Sequence, residues 1–132
     1  MLAKEIADYL AANGLGTVGT NVFALQLPSA PDTCLAVYPT GGGRADSKLG
    51  YDNPTIQVRT RSSNPLTAFE NAAQAYNLLH GLRRVTLSGG SYLVHCTGIQ
   101  SAPVYIGRDE RKRDEYTLNY QLVVRNQSTH RE

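Results

Sequence analysis

The chain has no tryptophan, one methionine, two phenylalanines and two cysteines in 132 residues. Cys34 and Cys96 lie far apart and form no Cys-x-x-Cys spacing. That excludes a dithiol motif and favours two buried free thiols over a disulfide. No stretch is long and apolar enough to span a bilayer. The opening residues include Lys4 and Glu5 and no continuous apolar run, so a secretory leader is not expected. The protein is expected to be made and used in the cytoplasm of its producing cell, or to leave it by lysis. A net charge of +2 is too small for a broad basic field, which argues against nucleic-acid binding by bulk charge. What is present is ordinary for a soluble globular domain: 41% hydrophobic and 18% charged residues. Eight tyrosines suit both half-buried strands and contact surfaces. The length supports one domain with its own core.

Residues 2–13 are predicted to form an amphipathic helix. Leu2, Ile6 and Leu10 recur every four residues beside Ala3, Ala7 and Ala11, with Lys4, Glu5 and Asp8 on the polar face. Asn13-Gly14 is the stop. A strand is expected at 21–26, then a turn cluster, Pro28-Ser29-Ala30-Pro31-Asp32. A nearly continuous apolar strand at 33–38 implies burial on both faces. Residues 39–54 read as a long loop, a kind that is usually functional or mobile. In the strand at 55–61, Ile56, Val58 and Thr60 face one way and Gln57, Arg59 and Arg61 the other. Asn64 caps a helix from Pro65 to His80, with Leu66, Phe69, Ala73, Tyr76 and Leu79 as its apolar stripe and Gly81 at its end. A Gly-Gly turn joins two short strands around 85–87 and 92–96. Tyr116, Leu118, Tyr120, Leu122 and Val124 alternate with polar residues in the clearest strand of the chain. Strand runs not interleaved with helices imply one α+β domain over 1–125. Its sheet is mixed but mostly antiparallel, with two helices packed on one face. Residues 126–132 form a polar tail, expected to fray.

Chemical motifs are weak. Gly14-x-Gly16-x-x-Gly19 matches a dinucleotide fingerprint as a string, but it follows a helix and precedes a strand, the reverse of what a pyrophosphate site needs. Gly41-Gly42-Gly43, followed by Arg44 and Lys48, lacks the Gly-Lys-Ser/Thr that opens a phosphate-binding helix. His95 and Cys96, adjacent on a strand, point to opposite faces and cannot share a metal. There is no Gly-x-Ser-x-Gly elbow. The expectation is a non-enzyme with no catalytic, cofactor-binding or metal residues. Residues 108–115 carry four bases and four acids, either as a solvated turn or as a contact whose mixed charges set register.

The order of these pieces resembles the minor capsid and tail terminator proteins of long-tailed bacteriophages. The resemblance rests on the amphipathic start, on Pro31-Asp32-Thr33-Cys34-Leu35-Ala36-Val37-Tyr38-Pro39-Thr40-Gly41-Gly42, and on Asn53-Pro54-Thr55-Ile56-Gln57-Val58-Arg59-Thr60-Arg61 before a long helix. It rests also on Gly107-Arg108-Asp109-Glu110-x-x-Arg113-x-Glu115-Tyr116. It covers residues 1 to about 125. It implies a structural protein of the virion, assembled in the bacterial host cytoplasm and placed at the head–tail junction. There a hexameric ring would stop tube polymerisation and offer the head a docking surface. The implied partners are other copies of the chain, the major tail tube protein and a head–tail connector protein. Double-stranded DNA would pass through the bore without specific binding, and no membrane is involved. A ring needs two complementary surfaces per subunit. The two segments 39–54 and 108–115 are the candidates, with Arg44, Asp46, Lys48 and Tyr51 in the first and Arg108, Asp109, Glu110, Arg111 and Arg113 in the second. Arg44 and Lys48 are the residues to touch passing DNA. The alternatives are a head-side connector or completion protein and, in a different class, a small nucleic-acid-binding module.

Overall fold

The computed structural model describes residues 1–126 and His130. Helix α1 (Leu2–Leu10) buries Ala3, Ile6, Ala7 and Leu10 and runs on into a wider turn, Ala11–Leu15. The glycines of the fingerprint-like string serve geometry here. Gly14 takes a φ of 101°, and Gly16, at 143°, has no room for a Cβ because Asn21 fills that space. Asn21 Oδ1 accepts the Thr17 N–H at 2.7 Å, which closes the turn into the sheet.

Eight strands follow: β1 (Val22–Ala24), β2 (Cys34–Gly42), β3 (Tyr51–Asp52), β4 (Pro54–Ser62), β5 (Arg83–Thr86), β6 (Tyr92–Gly98), β7 (Val104–Arg108) and β8 (Asp114–Arg125). Helix α2 (Pro65–Leu79) lies between β4 and β5. The sheet order is β1-β2-β4-β8-β6-β5. Only β1 and β2 run parallel. β8 is the centre. β4 and β3 pair along one side of it, and β6 and β7 pair in succession along the other. Period-two alternation puts Val58 opposite Leu118 and Ile56 opposite Tyr120 on one face. Leu35, Val37, Leu93, Cys96 and Leu122 join them, and so do Ile6 and Leu10 of α1 and Ala72, Ala75 and Leu79 of α2. Both helices therefore cover the same face of a mostly antiparallel α+β sheet.

Four local expectations change. Glu5 is not on a solvated face: it is 4% exposed, and its carboxylate accepts the Gly89 N–H (2.9 Å), the Ser91 N–H (3.1 Å) and the Ser91 hydroxyl (2.6 Å). The β5–β6 turn brings amide hydrogens to this helix face, and a carboxylate satisfies them where an apolar residue would leave them orphaned. The buried face of α2 is Ala68, Ala72, Ala75 and Leu79, whereas Leu66 is 61% and Phe69 38% exposed. Small residues let the helix axis approach the sheet, close enough for the Thr60 hydroxyl to donate to the Ala68 carbonyl at 2.8 Å. The expected loop over 39–54 is mostly strand. β2 continues to Gly42 through a bulge after Pro39, and β3 and β4 start at Tyr51 and Pro54, leaving residues 43–50 as the connection. Gly42 permits this, since any Cβ there would sit 2.3 Å from the Asn53 carbonyl oxygen. Finally, β7 forms where the sequence pattern predicts no strand. Of the expected polar tail over 126–132, residues 127–129 and 131–132 lie outside the described residues. Asn126 donates its N–H to the Gly50 carbonyl at 2.6 Å.

Three substitutions test this packing by urea unfolding. Glu5→Ala should cost about 2–3 kcal/mol, because it orphans the amides of a buried turn. Ala72→Leu should cost about 1–3 kcal/mol by overfilling the helix–sheet seam. Leu66→Ser should stay within about 0.5 kcal/mol, the reverse of what the apolar stripe read from sequence would give.

Candidate assembly surfaces

The β2–β4 hairpin is tied across by the Thr40 and Thr55 hydroxyls at 2.7 Å. Its connection folds on Asp46, whose Oδ1 accepts the Lys48 N–H at 2.7 Å and the Leu49 N–H at 2.9 Å. This is an Asx-type turn, built because a short carboxylate side chain reaches its own downstream amides. It turns Arg44, Lys48 and Leu49 outward. Arg44, Ala45, Asp46, Ser47 and Asn53 line a shallow open recess. Tyr51 belongs to the root of the loop instead. The Arg125 guanidinium stands 6.0 Å from its ring and 5.0 Å from that of Tyr92, linking the hairpin to β6.

The second segment is a tight turn between β7 and β8. Asp109 Oδ1 accepts the Arg111 N–H (3.0 Å) and the Arg113 N–H (2.9 Å), and its Oδ2 accepts Arg113 Nε (2.8 Å). These bonds from Arg113, backbone first, hold the Asp109 carboxyl below its ordinary value of 3.8. Arg113 itself points inward. It is 4% exposed and donates from Nη1 to the Ser29 carbonyl at 2.5 Å, with Asp32 at 3.3 Å. Arg61, 3% exposed, donates from Nη2 to the Pro31 carbonyl (2.7 Å) and from Nε to the Asp32 carbonyl (3.3 Å). Two buried guanidiniums thus pin the β1–β2 connection over the start of β8. A turn holding Pro28 and Pro31 offers carbonyls with fewer N–H groups to satisfy them, and a five-donor fork supplies the match. Strand alternation put Arg61 on the open face, so only the coincidence of a Pro-rich turn and an inward arginine signals this contact. Arg108, Glu110 and Arg111 remain outward. Arg108 Nε lies 3.5 Å from Asp114 Oδ1, which also accepts the Tyr105 hydroxyl at 2.8 Å.

The two segments are not one site. The 43–50 connection sits beside the end of β8 and the 109–113 turn at its start. A strand of 12 residues spans roughly 36–40 Å at about 3.3 Å per residue. Between them, the sheet face away from the helices carries Tyr38, Gln57, Arg59, Glu115 and Asn119. Arg59 lies over the Tyr38 ring at 5.6 Å and 3.9 Å from Glu115.

Reactive groups are muted. Cys34 and Cys96 are free and buried, and burial pushes both thiols up, Cys96 to about 12. His95 hydrogen-bonds Thr97 at 3.0 Å, whereas Cys96 faces the core. His80 Nδ1 accepts the Gly98 N–H at 3.0 Å. Among the described residues, no group of three or more His, Cys, Asp or Glu is placed to hold a metal. No helix there is long and apolar enough to cross a membrane.

The family model described as bacteriophage tail terminator protein matches residues 9–126. No curated protein matches the chain. Among solved structures, a chain from the virion of a native gene transfer agent (GTA) particle superposes with a TM-score of 0.64. The match covers 89% of this chain and 84% of that one at 18% identity. At that identity the likeness is one of fold.

Asp109 makes the turn sensitive to acid in one direction. Its carboxyl is lowered in the fold, so its stabilisation is complete above the unfolded value near 4 and is lost as pH falls through the lower folded value. Thermal melts of the wild type and Asp109→Asn should differ at pH 7 and pH 5 and converge toward pH 2. A gap that persists at pH 2 would assign the effect to something other than the charge.

Proposed function

Because the chain belongs to the bacteriophage tail terminator protein family, we propose that it closes the tail as a ring of copies, six by the resemblance. Seated on the end of the tube, the ring stops tube polymerisation and presents the surface on which the head docks. Its work is structural, in phage tail assembly; chemistry is not asked of it. The observation that supports the finer reading is the separation of the 43–50 connection and the 109–113 turn to opposite ends of β8. A ring that joins a tube to a head needs two axial surfaces, one at each end of the subunit. In this reading one end carries Arg44, Asp46, Lys48 and Tyr51, and the other Arg108, Glu110 and Arg111, with Asp109 and Arg113 setting the shape of the turn. The partners are the major tail tube protein on one side and a head–tail connector protein on the other. DNA passes through the bore, where Arg44 and Lys48 contribute charge without a tight phosphate site. The protein sits in the virion at the head–tail junction.

Electron microscopy of lysates from a phage with this gene disrupted should show headless tails of excessive length. Tails of normal length that fail to join heads would instead make the protein a connector or completion factor, and normal particles would remove it from tail assembly. Complementing with Arg44→Glu/Lys48→Glu in one strain and Glu110→Lys/Arg111→Glu in another should separate the axial roles. One pair should give overlong tails and the other headless tails of normal length. The same defect from both pairs would contradict two axial surfaces.

A further inference from the structure

Charge is absent from two long runs of the chain: residues 9–31 and 85–107 hold no Lys, Arg, Asp or Glu, and no other run is as long. The fold carries them to different edges of the sheet. The first contains β1, whose one strand partner among the described residues is β2; on its other side Val22 is already bonded to Thr17 and Gly19, so the open stretch of that edge begins after Val22. Val18 and Leu25, on either side of β1, are 41% and 50% exposed. The second contains β7, which is hydrogen-bonded only to β8. Its Val104, Tyr105 and Ile106 are 42%, 52% and 43% exposed, and Ile99 just before it is 55% exposed. An exposed strand edge invites pairing with another chain, and soluble proteins usually guard it with charge or proline. β5, the remaining edge, follows that rule with exposed Arg83 and Arg84. β7 has no charge before Arg108.

The β7 edge is also continuous with the outward side of α2. The Tyr105 ring lies 5.3 Å from Tyr116, and Tyr116 lies 5.6 Å from Phe69. Leu66 is one turn earlier on the same helix. Leu66, Phe69, Ile99, Val104, Tyr105 and Ile106 together expose on the order of 500 Å², against about 800 Å² per partner in an ordinary stable interface. Loss of charge from the core of a patch, with aromatic enrichment, is the compositional mark of such interfaces.

We propose that these two edges are the lateral contacts of the ring, with β7 of one copy lying along the β1 edge of the next from Ala24 onward. The occupant is a second copy because the two uncharged surfaces differ, stand on opposite sides of β8 and match in character. Contacts between unlike surfaces run head to tail and close into a ring when the rotation from copy to copy closes. Sheet pairing then extends from subunit to subunit by main-chain hydrogen bonds, with Phe69 and Leu66 covering the seam. The inference rests on the ring reading above and names the surfaces that make the ring.

The test complements the disrupted phage with Leu25→Cys/Ile106→Cys and oxidises the purified particles. Cys34 and Cys96 are 3% and 0% exposed and do not compete. Non-reducing gels should show a ladder of multimers from the double variant and only monomer from either single variant. Monomer from the double variant in tails of normal length would overturn the edge assignment while leaving the terminator role intact. Dimers from Ile106→Cys alone would mean that β7 meets β7, and would overturn it too. If disruption of the gene itself leaves tails unaltered, the ring reading fails, and this inference with it. Independently, Ile106→Lys should cut infectious titre at least about tenfold with an unchanged melting temperature in the purified subunit, while Ile106→Leu should keep it. Full titre from Ile106→Lys would also overturn the proposal.

Discussion

The structure depends on β8 being paired along both sides. β8 runs from Asp114 to Arg125, and every strand except β1, β2 and β5 is hydrogen-bonded directly to it. A strand in that position cannot slip by one residue without turning Leu118, Tyr120 and Leu122 out of the core, so its register is the most firmly specified in the chain. The helices, the hairpin and the Pro-rich turn all take their places relative to it. Arg113, one residue before β8, and Arg61, opposite Glu115, hold that turn to its start. Arg125, its last residue, links the root of the 43–50 connection to β6. A rigid central strand thus fixes how far apart the two candidate axial surfaces stand.

Much of this was legible because local signals agreed with the fold. The alternation in β4 and β8, the Asn64-Pro65 helix start and the Gly-Gly hairpin are each set by backbone chemistry over a few residues. That is why the α+β class and the central strand could be read from the sequence. The candidate surfaces were legible only in part. Exposed charge marked Arg44, Lys48, Arg108, Glu110 and Arg111, but sequence could not tell that Asp109 and Arg113 are used within the subunit. Asp109 closes on Arg111 and Arg113 within its own turn, whereas the other partners of Arg113, Ser29 and Asp32, lie far away in the chain and meet it only after β2, β4 and β8 have paired. Glu5 was misplaced for the same reason, since Gly89 and Ser91 reach it only once the β5–β6 hairpin has formed and docked. Strand β7 carries no strand signature because Val104, Tyr105 and Ile106 do not alternate with polar residues; three apolar side chains in a row lie near the surface.

That departure from alternation and the misread phase of α2 have a common cause. A helix stripe read from sequence assumes that every large apolar residue is buried by its own subunit. On α2 the large residues Leu66 and Phe69 point away from the sheet, and alanines face it. On β7 the pattern that would protect an edge is missing. Each is a cost to an isolated monomer, since exposed apolar surface lowers solubility and an open edge invites aggregation. The two are contiguous through Tyr105 and Tyr116, so a single partner surface relieves both. A sequence whose other local choices agree with its fold breaks its rules where something else completes it. Here the broken rules converge on one flank of the sheet, and in the proposed ring the uncharged β1 edge of another copy would supply a surface of the same character.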